Sequence, residues 1–197
     1  VTEPVIKVDF ALALAATLAH EGGWSKHPMD PGGATMYGVT KRAWEAYVGH
    51  SVTDEQLRNI THEQITPFYR ENYWDPVRGD DLPGGVDCLV FDICVNSGPH
   101  RAAIILQQSI LDVSRIGIRQ DGAIGPKTVA AAHAVNVFDL IDRIAWRRLT
   151  FYSQLRGWAS FKGGWSRRTI ETATFATAIA TGHGRAMVNS RDLPLAA

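Results

Sequence analysis

Glu21-Gly22-Gly23-Trp24, followed after five residues by Asp30-Pro31-Gly32-Gly33-Ala34-Thr35-Met36-Tyr37-Gly38-Val39-Thr40, is the stretch that decides the reading of this 197-residue chain. The residues before it, Phe10 to Ala19, read FALALAATLA, strong helix formers in which Leu14 and Leu18 make one apolar stripe. Glu21 lies seven after Leu14 and three after Leu18, so a helix that reaches it turns its carboxylate toward that stripe. Gly22-Gly23 predicts the stop, through the left-handed conformation that glycine accepts at a last turn. A Glu in such a turn is near the negative end of the helix dipole and partly buried, and both effects favour the protonated acid.

Asp-Pro-Gly-Gly is strong turn chemistry, and Ala34 to Thr40 predicts a short hairpin or extended edge. Folded back over the helix end, the turn would let Asp30 orient or activate a water, Thr35 hold that water, and Tyr37 pack on a pyranose ring. A Glu that gives a proton and an Asp that serves a water across a sugar are the parts needed to break a glycosidic bond. Each has a plainer reading: Asp30 as a turn former, Trp24 and Tyr37 as core aromatics.

The run EGGWSKHPMDPGGATMYGVT resembles the signature of the glycoside hydrolase 108 muramidases, peptidoglycan-cutting enzymes of the phage-endolysin and secretion-activator type. Its E-x8-D-x4-T spacing is also close to the Glu, Asp, Thr trio of phage-type lysozymes, which have one more residue before the Thr. The resemblance implies Glu21 as catalytic acid with Asp30 and Thr35 as partners. Trp24 stands where a Tyr is more usual in the family. FDICVNSG, with Asp92 and Asn96 at i and i+4 on one helix face, resembles the segment that faces the family's cleft. It implies substrate contacts for both residues; for Asn96 a helix-to-helix hydrogen bond is the alternative. Tyr73-Trp74 resembles the aromatic pair that closes the first lobe, with groove lining for Tyr73 and packing for Trp74. Gln120 to Thr128 and the Phe-x-x-Gly-Trp-x-x-Arg of Phe161, Gly164, Trp165 and Arg168 resemble a small peptidoglycan-binding helical module.

Composition agrees with a folded chain able to bury a sizeable core: 45% hydrophobic residues and six Trp. The net charge of +0 hides an asymmetry, because residues 1–98 hold seven Lys plus Arg against fourteen Asp plus Glu, and the remainder the reverse excess. Arg143, Arg147, Arg148, Arg156, Lys162, Arg167 and Arg168 form a basic stretch, either a docking strip for an anionic polymer or a helix face with internal ion pairs. Cys88 and Cys94, six apart in a predicted helix, point away from each other and are expected as two small buried hydrophobes without a disulfide. His62-Glu63-Gln64-Ile65-Thr66 lacks the second His of a zinc motif, so neither metal nor cofactor is expected. Lys7 and the apolar run after it imitate a signal peptide, but Asp9 and His20-Glu21 argue against one. No run reaches the roughly 18 apolar residues of a spanning helix. Release by a holin or a dedicated secretion route, with action in the periplasm or cell wall, is the expectation.

Elsewhere the chain predicts helices: Thr40 to Val48, Thr53 to Asn59, a capping-box start at Thr61 running to about Asn72, Val86 to Ser97, Pro99 to about Asp112, one opened by Pro126, and Val137 to about Gly157. Gly163-Gly164 predicts a break and the tail beyond Gly184 a frayed end. The expected protein is mainly α, an α+β lysozyme-like fold with a small β-hairpin. A catalytic lobe, 1–85, packs with a peptidoglycan-binding-like lobe, 86–197, as one globular unit. It is expected to hydrolyse the β-1,4 bond between N-acetylmuramic acid and N-acetylglucosamine. The alternatives are a lytic transglycosylase and a non-catalytic wall-binding protein. Its partner is the peptidoglycan glycan strand, with no nucleic acid and no stable membrane insertion, and it is expected as a monomer.

Overall fold

The structure, a computed structural model, describes residues 10–26 and 33–189. The first helix, α1 (Phe10–Leu18), leads to a three-stranded antiparallel sheet in which β2 (Ala34–Met36) lies between β1 (Ser25–Lys26) and β3 (Val39–Thr40). Thr35 sits opposite Ser25 on one side and Thr40 on the other. The β2–β3 connection is Tyr37-Gly38, with φ 50° and 75°, the paired positive values of a type I′ hairpin turn. The expected hairpin is therefore present, with an additional strand before it.

Three short helices follow, each opened by a Thr as the sequence predicts. In α2 (Lys41–Val48) Thr40 Oγ1 accepts from Ala43 N–H, and α3 (Asp54–Arg58) and α4 (His62–Tyr69) open with complete capping boxes from Thr53–Gln56 and Thr61–Gln64. Beyond α4 the backbone widens into a π turn over Arg70–Trp74 and tightens into a 3₁₀ turn over Asp75–Val77. Trp74 is fully buried, with its indole N–H donated to Asp80, so it has the packing role.

The centre of the molecule is α5 (Val86–Ser97), in which every residue from Val86 to Cys94 is buried. A helix apolar on all sides must be enclosed on all sides, and α5 is the wall shared by two cores. Cys88 and Phe91 join α1, the sheet, and helices α2 to α4, whereas Leu89, Val90 and Ile93 join the second half. Both cysteines are buried and free, as their spacing predicts. Gly85 precedes α5 at φ 91°, and a Cβ there would lie 2.3 Å from the Ala176 carbonyl oxygen, so only glycine fits. Asp87 Oδ1 accepts from the N–H groups of Gly85 and Cys88 at 2.8 and 2.6 Å, and burial pushes this carboxyl up to about 7.

Three further helices, α6 (Pro99–Val113), α8 (Val137–Ser153) and α9 (Trp158–Ala180), pack on α5, while α7 (Pro126–His133) packs on α6 and α8, and the short α10 (Gly184–Asn189) on α9 and α1. Two expectations need correction. Helix α9 runs straight through Gly163-Gly164, because its buried face from Thr169 to Ile179 supplies more stabilisation than two glycines, at about 1 kcal/mol each, remove. The residues after Gly184 begin as helix, in contact with α9 and α1. The remainder of that tail lies outside the described residues.

Candidate active site

Helix α1 ends at Leu18, short of Glu21, which is carried on a tight turn through its N–H to the Leu18 carbonyl at 3.1 Å. Neither Gly22 nor Gly23 is left-handed, so the expected glycine cap does not form. The Glu21 side chain is 19% exposed. One wall beside it is the hairpin turn: a Cβ at Gly38 would lie 2.6 Å from Glu21 Oε2 and 3.1 Å from the Tyr69 hydroxyl. Tyr69 donates that hydroxyl to the Tyr37 carbonyl at 2.7 Å, tying the turn to α4. Burial first, then the Glu21 charge, pushes the Tyr69 phenol well above its ordinary range, so it remains a donor.

The other wall comes from the far end of the chain. Arg168 on α9 donates Nη1 to Glu21 Oε1 at 2.8 Å and Nη2 to Asp92 Oδ1 at 2.7 Å, with Nε 3.2 Å from both Asp92 oxygens. Asp92 also faces Arg148, whose Nη2 lies 2.6 Å from Oδ2, close enough for an ion pair though off the line of a hydrogen bond. Arg148 Nε donates to the Tyr152 hydroxyl at 3.0 Å. Burial alone would raise the Asp92 carboxyl, but the two guanidinium groups outweigh it and hold the group down at about 2. The result is a fixed line of charge, Arg148–Asp92–Arg168–Glu21, that sets the direction of the Glu21 carboxylate.

The anticipated residues divide. Asp30 lies outside the described residues. Thr35 is half-buried at the centre of the sheet whose turn meets Glu21. Tyr73 is half-buried with its ring 5.4 Å from that of Tyr69, and burial, then Cys94 and Glu21, push its phenol up. Tyr37 sets its ring against His62 at 4.6 Å and contributes its carbonyl to Tyr69. Trp24 lies under Arg58 at 5.9 Å, lining a groove of about 460 Å³ with Asp54, Glu55 and Asn59. Asn96 is exposed, and its Nδ2 donates to the Asp92 carbonyl within its own helix at 3.2 Å, not across to another helix. Asp92, expected as a substrate contact, is instead 0% exposed with its carboxylate paired to Arg148 and Arg168, a place from which it positions Arg168.

The basic stretch also resolves. Arg148 and Arg168 turn inward, while Arg147 pairs with Asp112 at 2.6 Å and Arg143 with the same carboxylate at 3.9 Å. Sequence reasoning missed Arg168, Tyr69 and Gly38 as neighbours of Glu21. The only signal for Arg168 was its place in the Phe-x-x-Gly-Trp-x-x-Arg pattern, which names no partner.

The Glycosyl hydrolase 108 family model matches residues 14–98, and that of the Predicted Peptidoglycan domain matches residues 101–170. Among solved structures, that of Brucella abortus SagA is 37% identical, covers 87% of this chain and 95% of its own, and superposes with a TM-score of 0.75. The chain belongs to glycosyl hydrolase family 108. Among the curated proteins none matches it. As a member of family 108 it is a glycoside hydrolase, and with the peptidoglycan domain it is a peptidoglycan hydrolase that acts at the cell wall or in the periplasm. The mainly helical, lysozyme-like architecture agrees with the expectation. In this hydrolase the two matched regions meet at two carboxylates: Glu21 and Asp92 lie in the first, and Arg168, which holds both, and Arg148, which pairs with Asp92, lie in the second.

Proposed function

We propose that this hydrolase is an N-acetylmuramidase that cleaves the β-1,4 bond between N-acetylmuramic acid and N-acetylglucosamine, with Glu21 as general acid. The observation that carries the reading is the seat of Glu21, a partly exposed carboxylate fixed by Arg168 at Oε1 and bordered by a side-chain-free turn at Gly38 beside Oε2. In the proposed step Glu21 protonates the leaving glycosidic oxygen as the C1–O bond breaks. Water, positioned by Asp30 and Thr35, then adds to the oxocarbenium-like centre and gives up its proton to the Asp carboxylate. Tyr73, Asn96, Tyr37 and Trp24 are proposed substrate contacts. Carboxyl groups about 6.5–9.5 Å apart would fit this inverting step, whereas about 5–5.5 Å would make Asp30 the nucleophile of a retaining one. Working as a monomer and bacteriolytic in the manner of an endolysin, the protein would reach the wall through a holin or a dedicated secretion route. No described helix is long and apolar enough to cross a membrane.

Glu21→Gln keeps the acceptor for Arg168 but has no proton of suitable acidity. We expect it to abolish release of reducing ends from purified sacculi while sacculus binding and the melting temperature persist. Mass spectrometry of the products decides the reaction: reducing N-acetylmuramic acid ends support the muramidase, 1,6-anhydro ends would make the protein a lytic transglycosylase, and full activity in the variant would remove Glu21 from the chemistry.

A further inference from the structure

Arg168 is the last member of the Phe161, Gly164, Trp165, Arg168 pattern, and the seat of Glu21 uses none of the aromatic members. On α9 Phe161, Trp165 and Arg168 stand at i, i+4 and i+7, which is one stripe of the helix. The stripe continues a ring stack. Trp165 lies 5.0 Å from Tyr152 at 35° and 5.6 Å from Phe161 at 30°, and Trp158 flanks it at 6.4 Å. Exposure grades outward, from Tyr152 at 4% through a half-buried Trp165 to Phe161 at 59%. The stack is anchored below, because the Tyr152 hydroxyl accepts from Arg148, which in turn faces Asp92. Phe161 is thus an exposed ring seated on a base of stacked aromatics.

The register of α5 against α9 brings a polar group to the same place. Gly85 meets Ala176 and Asp92 meets Arg168, so the helices run antiparallel, and Asn96, one turn beyond Asp92, falls level with Gly164-Trp165. Gly164, beside Trp165 on the helix, has open space where a Cβ would project, so no side chain crowds that flank of the stripe. From Phe161 to Arg168 the helix rises about 10.5 Å, roughly the length of two linked pyranose rings.

We propose that Phe161, backed by Trp165, and Asn96 form a glycan-stacking subsite along α9, beside the seat of Glu21. A pyranose ring presents its apolar C–H face to the exposed Phe161 ring, which Trp165 backs, and the exposed Asn96 amide pairs with a hydroxyl or acetamido group. The occupant is the peptidoglycan strand itself, because the stripe that carries the rings ends on the arginine that holds Glu21. This rests on the hydrolase reading for its direction and deepens it. The matched peptidoglycan region then contributes both a positioning residue and a binding surface.

The test uses Glu21→Gln protein and calorimetric titration with peptide-free peptidoglycan oligosaccharides of four, six and eight sugars. Affinity should rise with length. Phe161→Ala should weaken octasaccharide binding about five- to tenfold, Asn96→Ala by a comparable factor, and Phe161→Trp should restore it. Phe161 is 59% exposed, so an unchanged melting temperature serves as the folding control. Octasaccharide affinity within twofold of the parent in Phe161→Ala overturns the proposal, as does absence of any oligosaccharide binding by the parent. Lost binding to phosphatidylglycerol vesicles, or loss of a dimer in sedimentation, with oligosaccharide affinity unchanged, overturns it in favour of a membrane or a second copy. Because binding is read in an inactive variant and cleavage in the wild type, failure here is separable from failure of Glu21 as the acid.

Discussion

Asp92→Asn is the sharpest probe of the charge line behind the seat of Glu21. The substitution keeps the shape of the side chain and removes its charge from a position that is 0% exposed, leaving Arg148, also 0% exposed, without a carboxylate. Two magnitudes bracket the loss. Asp92 is held at about 2 against 3.8 for the free group, a linkage contribution of about 2 kcal/mol. Removing one partner of a buried pair costs about 3–5 kcal/mol through the uncompensated charge left behind. At roughly 2–4 °C per kcal/mol for a chain of this size, the melting temperature at pH 7 should fall by about 4–20 °C. The sign follows from the depressed folded value: the stabilisation is full above about pH 5 and is lost as pH falls through 3.8 toward 2. The acid-side slope of stability should therefore flatten in the variant. Calorimetric melts of both proteins from pH 2 to 8 measure it. Adding Arg148→Met should recover part of the loss, because it removes the stranded cation. A melting temperature within about 2 °C of wild type at pH 7 would refute the account.

Other perturbations separate local geometry from charge. Gly38→Ala combines a left-handed backbone at φ 75° with a methyl group 2.6 Å from Glu21 Oε2, so sacculus hydrolysis should fall at least about tenfold with a stability loss of about 1–2 kcal/mol. Turnover close to wild type would mean that the hairpin does not border the working carboxylate. Asp87 titrates in the opposite sense to Asp92. Burial raises it to about 7 from 3.8, so its contribution is full below about pH 4 and is lost as pH rises through 7. Asp87→Asn should remove that decline between about pH 4 and 7 in denaturant melts, and an unchanged slope over that range would refute the assignment.

Much of the fold was legible because it is decided by bonds between near neighbours. Thr40, Thr53 and Thr61 each satisfy an N–H three residues ahead, Tyr37-Gly38 closes a two-residue hairpin, and the spacing of Cys88 and Cys94 keeps them apart on one helix. The family was legible too, from the pattern around Glu21. The sequence by itself determined these local choices and the family. Tertiary structure alone decided that Glu21 meets Arg168 across 147 residues, that Asp92 is spent on two arginines, and that α9 persists through Gly163-Gly164. The physical reason is one of range. A cap or turn is settled by groups a few bonds apart, whereas a buried ion pair or a glycine-bearing helix is stabilised by the packing of distant elements, and that energy is written in no short stretch of the chain.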